Sequence, residues 1–203
     1  MTDLTKLNFQ PEYVTGSFHN PQHMMRLALQ NSILYRRASG YFSSSVFNLF
    51  KEETLNFAKF GGKIHLMCNP VMSPDDLEQI SLGYEAKSLI TKNLMENVSD
   101  LADDLSKRQE LSFLATLIHT SVLDIKLIFF EAGKGIFHDK SGYFKDCKGN
   151  LLSFMGSANE SSNAFSGEGN FERISVFSSW QDTDARRCAS TKKYVDNLWE
   201  GKI

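Results

Sequence analysis

The sequence predicts an α/β fold in which a mixed β-sheet is sandwiched by helices. In the first third of the chain, amphipathic segments alternate with short β-branched and aromatic runs, as they do where helices cover both faces of a sheet. Several apolar runs then follow one another closely between about residues 123 and 177. Between these two regions lies a long helical stretch, about residues 73–120, which we interpret as a helical insertion.

Each predicted helix has apolar periodicity, and most have a start or stop signal. Asn20 can cap the first helix and Pro21 suits its first turn, while the Gly61-Gly62 pair ends the second helix. Ser73 and Pro74 begin the insertion. The predicted helices span residues 21–32, 43–60, 77–95, 99–119 and 182–199.

The predicted strands are short runs rich in β-branched and aromatic residues. Residues 1–17 are expected to be a lead-in with weak structure. Gly133, Lys134 and Gly135 are expected to turn the strand before them into a hairpin with the strand that follows. The predicted strands span residues 33–42, 63–68, 123–130, 136–144, 151–155 and 171–177.

Length and composition are those of one globular domain, so residues 1–203 are expected to form a single unit. The abrupt end at Ile203 suggests that the natural polypeptide continues and that this is its N-terminal part.

No apolar run is long enough to span a membrane, and the first ten residues lack a secretory h-region, so we expect a cytoplasmic protein without membrane contact. Three widely separated cysteines (Cys68, Cys147 and Cys188) are read as reduced thiols. The net charge of −2 gives no overall basic character, so a polyanion would need a local patch or a second subunit.

Residues 137–177 hold polar side chains at spacings that packing alone does not require. His138 and Lys140 stand two apart, so on a strand they would share one face. Ser157 and Asn159 follow the next apolar run, and Glu172 lies one residue into the run after that. Three neighbouring strand ends would then bring together the groups needed to bind and attack a phosphate ester.

These residues form three ordered motifs: His138-x-Lys140, Gly156-Ser157-x-Asn159 and Asn170-x-Glu172. The set resembles the signature of the phospholipase D superfamily, and most closely the nuclease-type domains associated with helicases and with restriction or phage-defence systems. The resemblance implies a phospholipase D-like α-β-α sandwich and a phosphodiesterase that uses no metal and no cofactor. One departure is that Lys145 stands where the family has an aspartate, and we expect the next residue, Asp146, to serve the turn that follows.

The resemblance also implies a role for each residue. His138 would attack phosphorus to form a phosphohistidine, and Glu172 would accept a hydrogen bond from its other ring nitrogen. Lys140, Ser157 and Asn159 would bind the phosphate oxygens. The chain carries one such motif, and its other histidines lack the accompanying lysine. A second imidazole must therefore come from another copy, which predicts a homodimer with one shared cleft.

The leading hypothesis is an endonuclease-like phosphodiesterase that cleaves nucleic acid, DNA foremost, in restriction or phage defence, with a helicase or ATPase domain or subunit as a further partner. One alternative is a catalytically silent module that dimerises or docks a helicase on DNA. Another is a phospholipid-directed phosphodiesterase, which the lack of a signal, of a second motif and of an apolar surface helix disfavours.

Other candidate residues have weaker signals. Asp75, Glu85 and Lys87 mimic a metal-dependent nuclease pattern, but they fall in predicted helix, so chance explains them better. Arg36 and Arg37 are candidates for a phosphate contact, although on a strand one of the two should face solvent. The segment Tyr41, Phe42 and Ser43 would either line the cleft and stack on a base or simply end a core strand.

Overall fold

A mixed sheet of seven strands forms the centre of the computed structural model, which describes residues 3–96, 112–129 and 135–203. Its order is β1-β7-β6-β5-β2-β3-β4. The pairs β2–β3 and β3–β4 are parallel and the other four pairs are antiparallel, as the α/β prediction requires. The strands are β1 (Glu12–Val14), β2 (Leu34–Ser39), β3 (Lys63–Cys68), β4 (Leu123–Leu127), β5 (Lys140–Lys145), β6 (Leu151–Gly156) and β7 (Arg173–Ser178).

Helices cover both faces of this sheet, which confirms the predicted sandwich. The larger core lies on the face covered by α1, α2, α3 and α5, and the smaller core lies under α7. None of the helices in the described part of the chain has both the length and the hydropathy needed to cross a bilayer. The helices are α1 (Pro21–Gln30), α2 (Ser45–Leu49), α3 (Lys51–Lys59), α4 (Pro74–Glu96), α5 (Phe113–His119), α6 (Ser162–Phe165) and α7 (Asp182–Trp199).

The two cores follow from the alternation of side chains along each strand. On β5, Phe144 enters the larger core and stacks on Tyr35 of β2, with ring centroids 4.3 Å apart. Its neighbour Tyr143 points to the opposite face and packs with Val195 and Leu198 of α7. Burial of large apolar side chains on both faces is the main stabilising contribution of such a layered fold.

The chain start is more ordered than predicted. A short 3₁₀ turn at Leu4–Lys6 is followed by β1, which pairs with β7 at the edge of the sheet. Leu4 is fully buried, and Lys148 Nζ lies 2.8 Å from Asp3 Oδ2. The expectation of a weakly structured lead-in was wrong because contacts with residues distant in the sequence hold this segment.

The predicted helix 43–60 is divided at Phe50. This residue has φ −113° and ψ 33°, ends α2 and precedes α3. Its ring is buried edge-on against Phe165 of α6, with centroids 5.7 Å apart. The two helices therefore meet at an aromatic side chain that is buried in the core.

The predicted hairpin between the fourth and fifth strands was wrong. β4 lies parallel to β3 at one edge of the sheet, whereas β5 pairs with β2 and β6. Gly133 and Lys134, the first two residues of the predicted turn, lie outside the described residues. The predicted hairpin would have placed β5 beside β4. In the structure β5 lies inside the sheet, where Tyr143 is buried in the smaller core and Phe144 in the larger core.

The predicted insertion contains α4 and α5, which pack against each other. Residues 97–111, which hold the predicted turn and the first part of the second helix, lie outside the described residues. The pair is attached to the edge strand, since the Tyr84 hydroxyl donates to Asp124 and accepts from Ile125 N at 2.8 Å. Burial and the bond to Asp124 raise the pKa of Tyr84.

Asp146 forms the turn between β5 and β6, as expected. Its carboxylate is completely buried and accepts four N–H groups. The donors are Leu4 N at 3.0 Å, Lys148 N at 2.9 Å, Asn150 N at 2.9 Å and Asn150 Nδ2 at 2.8 Å. One side chain therefore closes the hairpin turn and holds the chain start.

Changing Asp146 to Asn should lower the free energy of unfolding by about 3 kcal/mol, because an amide places N–H donors against backbone N–H donors in a buried site. Urea denaturation of Asp146→Asn and of the exposed control Glu168→Gln measures the effect. Equal stability of the two variants would contradict the assigned role of Asp146.

Candidate active site

The predicted site residues gather at one edge of the sheet. Because β5, β6 and β7 are successive antiparallel neighbours, the start of β5, the end of β6 and the start of β7 meet there. Lys140 begins β5, Ser157 follows β6, and Glu172 directly precedes β7. The sequence spacing therefore correctly predicted that these three side chains would share one end of the sheet.

His138 lies just ahead of β5, not inside it as predicted. The strand begins at Lys140, whose N–H donates to the Asp139 carboxylate at 2.6 Å, while the Asp139 carbonyl oxygen still accepts Gly40 N at 2.7 Å. Such local bonds from an aspartate compete with the sheet ladder. His138 is therefore outside the strand, and its side chain is exposed at the edge of the site.

His138 and Lys140 nevertheless contact each other. Lys140 Nζ lies 2.9 Å from His138 Nε2 and 3.3 Å from the His138 carbonyl oxygen. An ammonium has only donors, so when Lys140 is charged Nε2 is the acceptor in this contact and the ring proton is on Nδ1. A neutral imidazole is the form that can act as a nucleophile.

Partial burial lowers the pKa of the Lys140 ammonium, and the positive charge of Arg37 lowers this pKa further. The carboxylates of Glu172 and Asp139 act in the opposite direction and raise the pKa of Lys140. The pKa of Lys140 therefore depends on charged side chains on β2, just before β7 and on its own segment. These four groups form one electrostatic cluster.

Glu172 is buried and is bonded to Ser157. The Ser157 hydroxyl donates to Glu172 Oε2 and accepts Arg173 N at 3.1 Å. Glu172 N donates to the Thr15 hydroxyl at 3.0 Å, so the loop after β1 holds the backbone of this residue. Within the described residues, none of the hydrogen bonds joins His138 to Glu172, and the predicted orienting role of this carboxylate remains a prediction.

Asn159 lies on the loop that follows Ser157, between two buried residues, Ala158 and Glu160. Its Oδ1 atom is shielded from solvent and accepts no hydrogen bond from any group in the described ranges. A buried polar atom without a partner is uncommon and is often found at functional sites. The side chain is near the predicted phosphate position by sequence, but within the described residues it makes no hydrogen bond to His138 or Lys140.

Sequence reasoning missed Gly40 and Glu160, which support the site, and gave Arg37 only as a candidate phosphate contact. Gly40 packs directly against the histidine, since a Cβ atom there would lie 2.9 Å from His138 Cα. Arg37 and Glu160 form a buried ion pair beneath the Asn159 loop, with Nε and Oε2 3.3 Å apart. Only the Ser-Gly-Tyr-Phe segment and the paired arginines hinted at them, and neither hint identified a partner.

The expectation that Arg36 or Arg37 would face solvent was wrong. Arg36 is paired with Asp196 of α7, and its guanidinium lies 5.6 Å from the Trp199 ring centroid. Arg37 is directed into the larger core. At the end of the same strand, Phe42 is fully buried while Tyr41 is partly exposed, so only Tyr41 of these two could face a ligand.

No family model matches this chain, and no curated protein matches it significantly. Solved structures do resemble it. NucT from Helicobacter pylori is 15% identical, with a TM-score of 0.51 over 93% of this chain and 94% of that chain. The yeast tyrosyl-DNA phosphodiesterase is 7% identical, with a TM-score of 0.47 over 82% of this chain and 31% of that one.

The fold is phospholipase D-like. This agrees with the α-β-α sandwich that the motif resemblance implied. At these identities the likeness establishes the phospholipase D-like fold alone, so the chemistry of the site must be judged from its own side chains.

The metal-dependent nuclease pattern is not assembled as a site. Asp75, Glu85 and Lys87 all lie on α4, as expected from the sequence. Residues 3–96, 112–129 and 135–203 contain no group of three or more histidine, cysteine, aspartate or glutamate side chains placed to hold a metal ion.

The electrostatic cluster predicts a measurable titration. Changing Glu172 to Gln should lower the pKa of Lys140 further, because it removes a carboxylate that favours the charged ammonium. The ¹³Cε shift of labelled lysine, assigned with Lys140→Arg, reports this pKa in wild type, Glu172→Gln and the exposed control Glu168→Gln. A pKa that rises or stays unchanged in Glu172→Gln alone would contradict the arrangement.

Proposed function

We propose that this chain is a metal-independent phosphodiesterase that cleaves nucleic acid through a phosphohistidine. The contact between His138 Nε2 and Lys140 Nζ, at the sheet edge that also carries Ser157 and Glu172, is the observation on which this depends. It joins a neutral nucleophile to a cation at an accessible edge. Cleavage of a phosphodiester requires both a nucleophile and a group that neutralises charge on the phosphate oxygens.

In the first step, a ring nitrogen of His138 attacks phosphorus and the bond from phosphorus to the leaving oxygen breaks. Lys140 Nζ moves from the imidazole to the non-bridging oxygens, which frees the Nε2 lone pair. Ser157 and Asn159 add neutral donors to the same oxygens. Glu172 stabilises the positive charge that develops on the ring once Ser157 turns towards the phosphate.

The leaving oxygen needs a proton, and the single motif of this chain does not provide a second imidazole. We assign that proton to the imidazolium form of His138 in a second copy, whose neutral ring then takes a proton from water. The resulting hydroxide attacks the phosphohistidine, breaks the P–N bond and regenerates both histidines. A homodimer related by a two-fold axis would supply the two rings in one cleft.

Exposed apolar side chains next to the motif residues support the dimer. Ile136 is 64% exposed and lies two residues before His138, and Phe171 is 79% exposed and directly precedes Glu172. Met155, two residues before Ser157, is 43% exposed. A second copy that faces this edge would cover these side chains, and apolar residues are typical of the centre of an interface.

DNA is the preferred substrate in this proposal, and restriction or phage defence is the proposed setting. A cytoplasmic helicase or ATPase domain or subunit would bring the substrate to the cleft. The tyrosyl-DNA phosphodiesterase of yeast acts, by its name, on a phosphodiester of DNA, although its TM-score is too low to support this assignment. Because the net charge of this chain is −2, a basic partner would increase its affinity for a polyanion.

A silent module that dimerises or docks on DNA is the second candidate function. One observation favours it: Glu172 is bonded to Ser157 and not to His138, so the imidazole of a single copy lacks its acidic partner. In this alternative, the lysine and the loop donors bind phosphate without turnover.

Incubating supercoiled plasmid with the protein in excess EDTA separates the two functions. Wild type should cut, and His138→Ala should lose at least about a hundredfold in rate, because the covalent route disappears. His23→Ala, which removes an exposed imidazole from α1, is the matched control and should cut like wild type.

DNA binding without cleavage by any of the three proteins would establish the docking module instead. Cleavage by His138→Ala at the wild-type rate would remove His138 from the mechanism. An absolute requirement for a divalent metal would contradict the metal-independent route.

A further inference from the structure

A buried ion pair lies directly under the site and has no role in the mechanism above. Arg37 on β2 and Glu160 on the loop after β6 are each 1% exposed. Their Nε and Oε2 atoms are 3.3 Å apart, and Oε2 also accepts the Tyr35 hydroxyl at 2.8 Å. Burial raises the pKa of Glu160, whereas the Arg37 charge lowers it and favours the carboxylate.

The contacts of this pair converge on the residue that carries the predicted amide donor. Arg37 Nη2 donates to the carbonyl oxygen of Ala158. Glu160 N donates to the Ser39 hydroxyl at 2.9 Å and approaches the Tyr41 carbonyl oxygen at 3.2 Å. Both neighbours of Asn159 are therefore anchored to β2 or to the segment that follows it.

The segment that contains Ser39 and Tyr41 also packs against His138. Gly40 lies between Ser39 and Tyr41, and its N–H donates to the Asp139 carbonyl oxygen at 2.7 Å. A Cβ atom at Gly40 would lie 3.1 Å from His138 Cδ2, so backbone and imidazole are in close contact. The ion pair thus links the loop that carries Asn159 to the segment that supports His138.

Stability alone does not account for this pair. Removing two charges from water is costly, and well-packed apolar replacements of a buried ion pair are often neutral or stabilising. The surroundings are partly apolar, because the Arg37 guanidinium lies 4.9 Å from the centroid of the buried Phe154 ring. The pair is therefore a candidate for a role in the site beside it.

We propose that Arg37 is a positioning residue: with Glu160 as its counter-ion, it fixes the Ala158–Asn159 peptide against the Gly40 segment and places a permanent positive charge behind the phosphate position. The proposal rests on the proposed function, since it assigns the pair to the same site. Arg37 is not a catalytic residue, because it is too deeply buried to touch substrate.

A pH profile distinguishes this role from simple packing. Lys140 faces Arg37, Glu172, Asp139 and the His138 ring. The Arg37 charge lowers the pKa of Lys140, so its removal should raise this pKa. Activity requires the ammonium and falls as the proton leaves at high pH, so the alkaline limb of the rate profile should move to higher pH.

The test uses the double variant Arg37→Met/Glu160→Leu, which removes both charges together. The matched control is Arg26→Met/Glu53→Leu, an Arg–Glu pair between α1 and α3 that contacts no site residue. Hydrolysis of bis(p-nitrophenyl) phosphate should lose at least about tenfold in kcat/KM in the first variant, with weaker inhibition by inorganic phosphate and the shifted alkaline limb. The control should match wild type in all three readouts.

A double variant with kcat/KM within about twofold of wild type and an unchanged alkaline limb would overturn the proposal. Should the double variant fail to fold, Arg37→Lys decides, because it keeps the charge but cannot reach Ala158 and Glu160 together. Wild-type activity in Arg37→Lys would overturn the positioning role, and a loss of at least about tenfold would support it.

Failure of the proposed function gives a different result. If wild type and His138→Ala are both inactive, calorimetric titration with inorganic phosphate replaces the rate measurement. Weaker phosphate binding by the Arg37→Met/Glu160→Leu protein than by its control would still support the positioning role. Equal phosphate binding by the two would overturn it.

Discussion

The register of three antiparallel strands is the constraint on which the candidate site depends. Ser141 of β5 pairs with Met155 of β6, and Gly156 pairs with Ile174 of β7. This register brings the start of one motif, the end of the second and the start of the third to one edge. A slip by one residue would turn each side chain to the opposite face and would separate Lys140 from Glu172.

Two features at opposite ends of the sheet hold the segments around these strands. At the far end, Asp146 closes the β5–β6 turn with a buried carboxylate, so the aspartate that stands one position beyond the family pattern has a structural task here. At the site end, Arg37 and Glu160 connect the Asn159 loop to β2. Phosphate chemistry tolerates little displacement of its donors, so this rigidity is relevant to the proposed activity.

The sequence was sufficient for the sandwich and for the gathering of Lys140, Ser157 and Glu172, because both follow from periodicity and motif spacing within one region of the chain. It was insufficient wherever partners are distant in sequence. The pairing of β1 with β7 and the ion pair of Arg37 with Glu160 join residues that are far apart in the sequence, and no local pattern encodes them. The hairpin error has the same origin, since turn residues predict a reversal of the chain but not which strand lies beside it.

The central claim is that two copies of His138 complete one site. Mixing wild type with His138→Ala in varying proportions, after unfolding and refolding to exchange subunits, tests it most directly. If each cleft needs both histidines, plasmid cleavage should follow the square of the wild-type fraction, so that an equal mixture retains about one quarter of the activity. Activity proportional to the wild-type fraction, about one half in the equal mixture, would contradict a shared site and would place the complete chemistry within one chain.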